Sequence, residues 1–280
     1  MIVRRARAPE CADVLRLSFA SPHRSAADTR TQAEAFRAYA SVLRLDLSRQ
    51  WVVSDGSRLL TGCTCVESPG RLAILVCPPP PDAQRLHPAF GRMLQALIEA
   101  QAARDTRIIQ CLLEPNDDAP TAHCLAENGF IRLARLNYME ARADAAGPDP
   151  IPDQDAAEMH WQTYEKSAAP RFRDTIAKTY QGSQDCPMLS QFRTPDDAMA
   201  SHHAAGVFRP HRWQLLVQRG APIGCVLLNE TPLRAALEVV YMGLIPEARG
   251  RGMGNLLMDR AFQLARNDGF RTMSLAVDAT

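Results

Sequence analysis

Three glycines alternate in Gly250-Arg251-Gly252-Met253-Gly254, between an apolar run, Leu237-Glu238-Val239-Val240-Tyr241-Met242, and a segment where Leu256, Leu257, Ala261, Phe262, Leu264 and Ala265 recur at helical spacing. That order confines this part of the chain to a buried strand, a tight turn and an amphipathic helix. Turn glycines lack Cβ atoms, so successive backbone N–H groups can point at an anion, and the dipole of a helix start favours negative charge. A pyrophosphate fits such a cradle. Neither of two common phosphate loops describes it. A P-loop requires Lys and then Ser or Thr after its last glycine, where this chain has Asn255-Leu256. A dinucleotide fingerprint spaces its glycines Gly-x-Gly-x-x-Gly, whereas every spacing here is two.

The rest of the chain repeats the order of elements around this turn. The segment from Asp144 to Asp153 holds three prolines, a glycine and three aspartates, which predicts an extended linker. It divides the chain into domains at 1–143 and 154–280. In the first, the pattern predicts helices over 9–19 and 26–45, and a hairpin of 50–53 with 59–66 around Asp55-Gly56. A strand over 71–77, a helix over 90–103, a strand over 107–113, a helix over 119–127 and a closing strand over 131–139 follow. The second predicts helices over 156–167 and 170–180, a hairpin of 213–217 with 223–228 around Arg219-Gly220, the strand 237–244, the helix 255–267 and a strand over 271–277. A repeat of this size is a tandem domain rather than a solenoid. In place of the glycine turn the first copy has Pro81 to Phe90, with no glycine until Gly91. Proline has no N–H to offer a phosphate, so phosphate binding is expected only in the second copy.

Arg249-x-x-Gly252-x-Gly254, with Pro246-Glu247-Ala248 before it and Leu256-Leu257 after it, resembles the coenzyme A motif of the GNAT N-acetyltransferases. The resemblance implies two tandem mixed α/β GNAT-like domains, the first degenerate, in a layout similar to that of mycothiol synthase. It implies that Met242, Gly243 and Leu244 line the pantetheine arm of acetyl-CoA. It also assigns the pyrophosphate to Gly250, Arg251, Gly252, Met253, Gly254 and Asn255. Arg249 either adds charge to the phosphates or is a solvated turn residue. The second copy lacks the helix and strands that 116–139 supply in the first. Its partner strand must therefore come from a continuation of the chain or from another segment, since an unpaired strand edge aggregates.

The implied activity is acetyl transfer from acetyl-CoA to an amine by direct attack in a ternary complex. Because an amine is mostly protonated at neutral pH, a general base raises the rate. Glu238 is the candidate. Strict alternation places it on one face with Val240, Met242 and Leu244, where burial raises a carboxyl pKa. Tyr241 falls on the opposite face unless a bulge intervenes. His202-His203 are expected at the surface, and Trp161, Tyr164, Phe172 and Tyr180 in the core or along an acceptor pocket. A non-catalytic acyl-CoA-binding or scaffold module is the alternative function.

Composition removes several partners. A net charge of +1 argues against nucleic acid and membrane surfaces, and no apolar stretch of membrane-spanning length occurs, so a cytoplasmic monomer or homodimer is expected. The eight cysteines sit mostly in apolar segments, as reduced thiols do. Cys63-x-Cys65 shares one strand face, but no second Cys or His pair stands nearby at zinc-site spacing, so no metal is expected.

Overall fold

The computed structural model describes residues 1–80, 86–114, 118–144 and 158–279. These form two compact units, Met1–Arg132 and Leu133–Thr280. The expected division at 143/144 thus moves upstream, and the linker from 145 to 153 lies outside the described residues, as does 81–85 of the segment that replaces the glycine turn.

The first unit runs β1 (Ile2–Arg5), α1 (Cys11–Ser18), α2 (Ala26–Val42), β2 (Gln50–Asp55), β3 (Arg58–Ser68), β4 (Leu72–Val76), α3 (His87–Ala102), β5 (Ile108–Cys111) and α4 (Asp118–Glu127). Its sheet has the order β1-β2-β3-β4-β5. Every pair is antiparallel except β4 with β5, which are parallel and therefore need the crossover that α3 supplies. Ala89, Phe90, Met93, Leu94 and Leu97 recur along one stripe of α3 and pack on Trp51, Val53, Cys63, Cys65, Ala73 and Leu75. On the other face α1 approaches so closely that a Cβ at Gly62 would stand 2.9 Å from Val14 Cγ1.

The second unit contains β6 (Leu136–Arg142), β7 (Met159–Thr163), α5 (Ala169–Thr179), α6 (Pro195–Ala204), β8 (Val207–Gln218), β9 (Ala221–Thr231), β10 (Ala236–Leu244), α7 (Met253–Asn267) and β11 (Thr272–Asp278). The sheet order is β6-β11-β10-β9-β8-β7, with β10 and β11 parallel around the α7 crossover. One face packs on α7 through Leu237, Val239, Ala261, Phe262 and Ala265. The other packs on α5 through Phe172, Ile176, Trp213, Leu215 and Leu227.

Three expectations change. The strand expected to close the first unit instead completes the second: β6 pairs antiparallel with β11 from Leu136↔Asp278 to Arg142↔Thr272. The edge that the sequence left open is thereby covered. Residues 159–163, expected within a helix, form β7 against β8, and the arginine-rich start forms β1 against β2. Both strands draw their hydrogen bonds from a distant partner, which local periodicity does not report. Finally, α6 was not anticipated, although Thr194 and Asp197 form a reciprocal capping box at its start.

Candidate functional site

The cleft begins with one extra residue in β10. Val239 pairs with Leu228 and Tyr241 with Leu227, so Val240 is a bulge. Before the bulge, β10 pairs with both neighbours; its ladder to β11 covers only Ala236 to Val239. Beyond it, Met242, Gly243 and Leu244 pair with β9 alone, while the end of β11 pairs with β6. The two parallel strands therefore part and leave backbone groups of β10 facing the gap. Ile245 N–H donates to Ile223 O on β9 at 3.0 Å, so alternation turns the N–H groups of Leu244 and Met242 toward the cleft. A cavity of about 350 Å³ occupies this gap, walled by Thr179, Tyr241, Met242, Leu244, Val277 and Asp278 among others.

The glycine turn closes one end of the cleft. Gly250 has φ 71° and Gly252 has φ 77°, a left-handed conformation that favours glycine, and Gly252 caps α7 with no side-chain hydrogen bond. A Cβ placed at Gly250, Gly252 or Gly254 would meet nothing within 4 Å. Close packing therefore does not account for these glycines; the left-handed φ does at Gly250 and Gly252, and open space lies beside the start of α7. Met253 is fully buried and anchors the first turn of α7, while Arg251 and Asn255 are exposed.

Arg249 has a different place from either sequence expectation. Its guanidinium donates from Nε to Leu244 O at 3.1 Å, from Nη1 to Gly182 O at 3.1 Å and from Nη2 to Thr179 O at 2.8 Å. It clasps the end of β10, the end of α5 and the loop after it, holding the turn rather than displaying its charge.

Glu238 and Tyr241 are rearranged by the same bulge. Glu238 pairs with Asn229, and Tyr241 with Leu227, so both face α5 and α6, whereas Met242 returns to the α7 side. The expected face shared by Glu238, Met242 and Leu244 does not exist. Burial raises the pKa of Glu238, against a weaker opposing hydrogen bond from Thr231 Oγ1 and the charge of Arg234. It stands four positions from Met242, about 10–13 Å at ordinary strand rise, where β10 still pairs with β11. Tyr241 lines the cavity itself. Thr179 Oγ1 donates to Ile176 O, so the Tyr241 hydroxyl, 2.7 Å from that Oγ1, is its donor and turns an oxygen lone pair to the cavity. Burial pushes the phenol pKa up, keeping it protonated.

Behind Tyr241 lies a buried polar cluster around His202, which was expected at the surface, whereas His203 is exposed as expected. His202 is 8% exposed, stacks on Tyr241 with ring centroids 4.9 Å apart and has Nε2 2.8 Å from Tyr180 Oη. Arg193 Nη2 donates to the same Tyr180 oxygen at 2.8 Å, so the Tyr180 hydroxyl links the His202 ring to the Arg193 guanidinium. Burial, with Arg193 nearby, depresses the imidazole to about 3. Phe172 is buried in the core, and Tyr164, partly buried, packs on it with ring centroids 5.1 Å apart.

Comparison with known proteins agrees with this geometry. Residues 172–280 match the model of the Acetyltransferase (GNAT) family. A GCN5-related N-acetyltransferase from Sphaerobacter thermophilus has the same fold over 99% of this chain and 86% of its own, at 17% identity and a TM-score of 0.55. One from Kribbella flavida covers 88% of this chain and 84% of its own, at 17% identity and TM-score 0.50. The glucosamine N-acetyltransferase region of a fungal multi-domain β-N-acetylglucosaminidase aligns with 98% of this chain and 35% of that one, at 14% identity and TM-score 0.55. No curated protein matches the chain. Among the described residues no helix is long and apolar enough to cross a membrane.

Proposed function

We propose, taking as premise that residues 172–280 form a GNAT acetyltransferase domain, that the second unit binds acetyl-CoA in the β10–β11 cleft and transfers its acetyl group to an amine. One observation carries this reading: the bulge at Val240 opens a gap whose end is an uncapped, glycine-lined helix start. The pantetheine arm lies along Met242, Gly243 and Leu244 and hydrogen-bonds as a strand would. The pyrophosphate takes the N–H groups between Gly250 and Asn255, where the helix dipole adds to their attraction. The Leu244 N–H, fixed at the cleft edge, stabilises the oxyanion as the amine attacks the thioester carbon.

In that step a C–N bond forms and the C–S bond breaks. The amine proton passes through water to Glu238, whose raised pKa suits a base, and the departing thiolate takes a proton from water at the cleft mouth. A non-catalytic acyl-CoA-binding module is the second reading, favoured by the distance of Glu238 from the cavity. Calorimetric titration with acetyl-CoA, followed by thiol release across small amines, aminoglycosides and lysine peptides, separates the two. Binding with turnover of at least one amine is expected. Binding without turnover supports the module, and absence of binding refutes both.

A further inference from the structure

In the first unit α3 is the counterpart of α7, since each crosses between the two parallel strands of its sheet. The start of α3 is built differently. His87 is its first residue, Pro88 follows, and Leu86 caps it without a side-chain hydrogen bond. In place of open glycines this position meets three potential ligands: the nearest side-chain donors of His87, Cys124 and Glu127 all lie within 4.8 Å of one another. His87 Nε2 is 3.6 Å from Glu127 Oε2, and His123 Nε2 is 3.3 Å from the other oxygen, Glu127 Oε1. Cys124 and Glu127 stand one turn apart on α4, so the helix itself brings thiol and carboxylate to one side.

We propose that His87, Cys124 and Glu127 form a binding site for a divalent ion of the zinc class, with a fourth position open to solvent. Nitrogen, sulfur and oxygen from one residue each is a donor set that a borderline ion accepts, and three protein ligands with a water is a common zinc arrangement. Bond lengths of about 2.0–2.3 Å set ligand separations of roughly 3.3–3.8 Å in a tetrahedral site. The remaining contraction is made by His87 and Glu127, which are half-exposed at 45% and 52% and can turn. Cys124, at 1% exposure, is the fixed point, held in the core beside Leu125. A helix start disfavours a cation, and here the thiolate and carboxylate bring two negative charges that offset it. His123 holds the second carboxylate oxygen, as outer partners of metal ligands do. On coordination the Cys124 S–H bond breaks, sulfur bonds the metal and the proton leaves to solvent.

The test is a cobalt(II) titration of the chelator-treated full chain. One equivalent is expected to bind with a near-ultraviolet thiolate-to-cobalt band and the visible bands of a tetrahedral ion, both abolished by added zinc. Cys124→Ser should remove the thiolate band, and the more exposed His87→Ala should weaken binding at least tenfold with the far-ultraviolet dichroism unchanged. The double variant Cys77→Ser, Cys111→Ser, which removes a thiol pair 3.7 Å apart in the same unit, should bind as the parent does. The proposal is overturned if no thiolate band develops, if it survives Cys124→Ser, if His87→Ala binds as the parent does, or if the double variant loses the band.

Discussion

Protonating His202 should weaken the second unit by an amount that the structure sets. The imidazole is buried, with Nε2 against the Tyr180 hydroxyl and the Arg193 guanidinium nearby, so desolvation first and that positive charge second disfavour a second ring proton. Its pKa falls from 6.5 to about 3 on folding. Below about 6.5 the unfolded chain therefore takes up a proton that the native chain refuses, so stability falls as the solution is acidified from there towards pH 3. For this shift the loss relative to neutral pH is on the order of 1 kcal/mol at pH 5.5 and roughly 2–3 kcal/mol at pH 4.5. His202→Gln keeps an acceptor for Tyr180 but cannot titrate, and should lack this increment. The assay is urea unfolding at pH 7.5, 5.5 and 4.5 in a Trp51→Phe background, where Trp161 and Trp213 report the second unit alone. Equal pH slopes for parent and His202→Gln would refute the assignment of His202 as a buried neutral base.

Arg249→Ala removes donors to three carbonyls and should cost about 2–3 kcal/mol of stability and at least tenfold in acetyl-CoA affinity, with Arg249→Lys restoring little because one ammonium cannot span the three; thermal melts and calorimetry check both. Gly252→Ala places a Cβ where the phosphate approaches, on a left-handed residue, and should cost about 1–2 kcal/mol in stability together with a larger loss of coenzyme binding. Gly243→Ala would set a Cβ 2.9 Å from both Thr179 Cβ and Tyr241 Oη, so a destabilisation of about 1–3 kcal/mol is expected in denaturant titration. Glu238→Gln should lower kcat about 100-fold at neutral pH and abolish the limb on which rate rises with pH through the raised pKa; an unchanged profile removes Glu238 as the base.

The glycine turn was legible because its signal is local. Glycine spacing, the apolar run before it and the helical stripe of Leu257, Ala261, Phe262 and Ala265 lie within thirty consecutive residues, and each prefers the conformation it adopts. The hairpins at Gly56 and Gly220, the α3 stripe and the paired order of elements were readable for the same reason. Residues whose role depends on a distant partner were not. Nothing near Arg249 in the chain announces Thr179 and Gly182 as its acceptors, and the double histidine at 202–203 has the composition of a surface segment, which His203 keeps while α6 folds His202 against Tyr180 and Tyr241.

Sequence alone therefore determined that this chain contains a strand, a glycine turn and a helix in its second half, and a strand and helix without that turn in its first, because propensity and periodicity act over a few residues. The tertiary structure decided which way each strand residue faces and which sheet each strand joins. One bulge at Val240 exchanged the faces of Tyr241 and Met242 and parted β10 from β11, since a single extra residue inverts every later side chain. The strand at 136–142 joins the sheet through β11, a partner more than a hundred residues away that its own stretch of sequence does not announce.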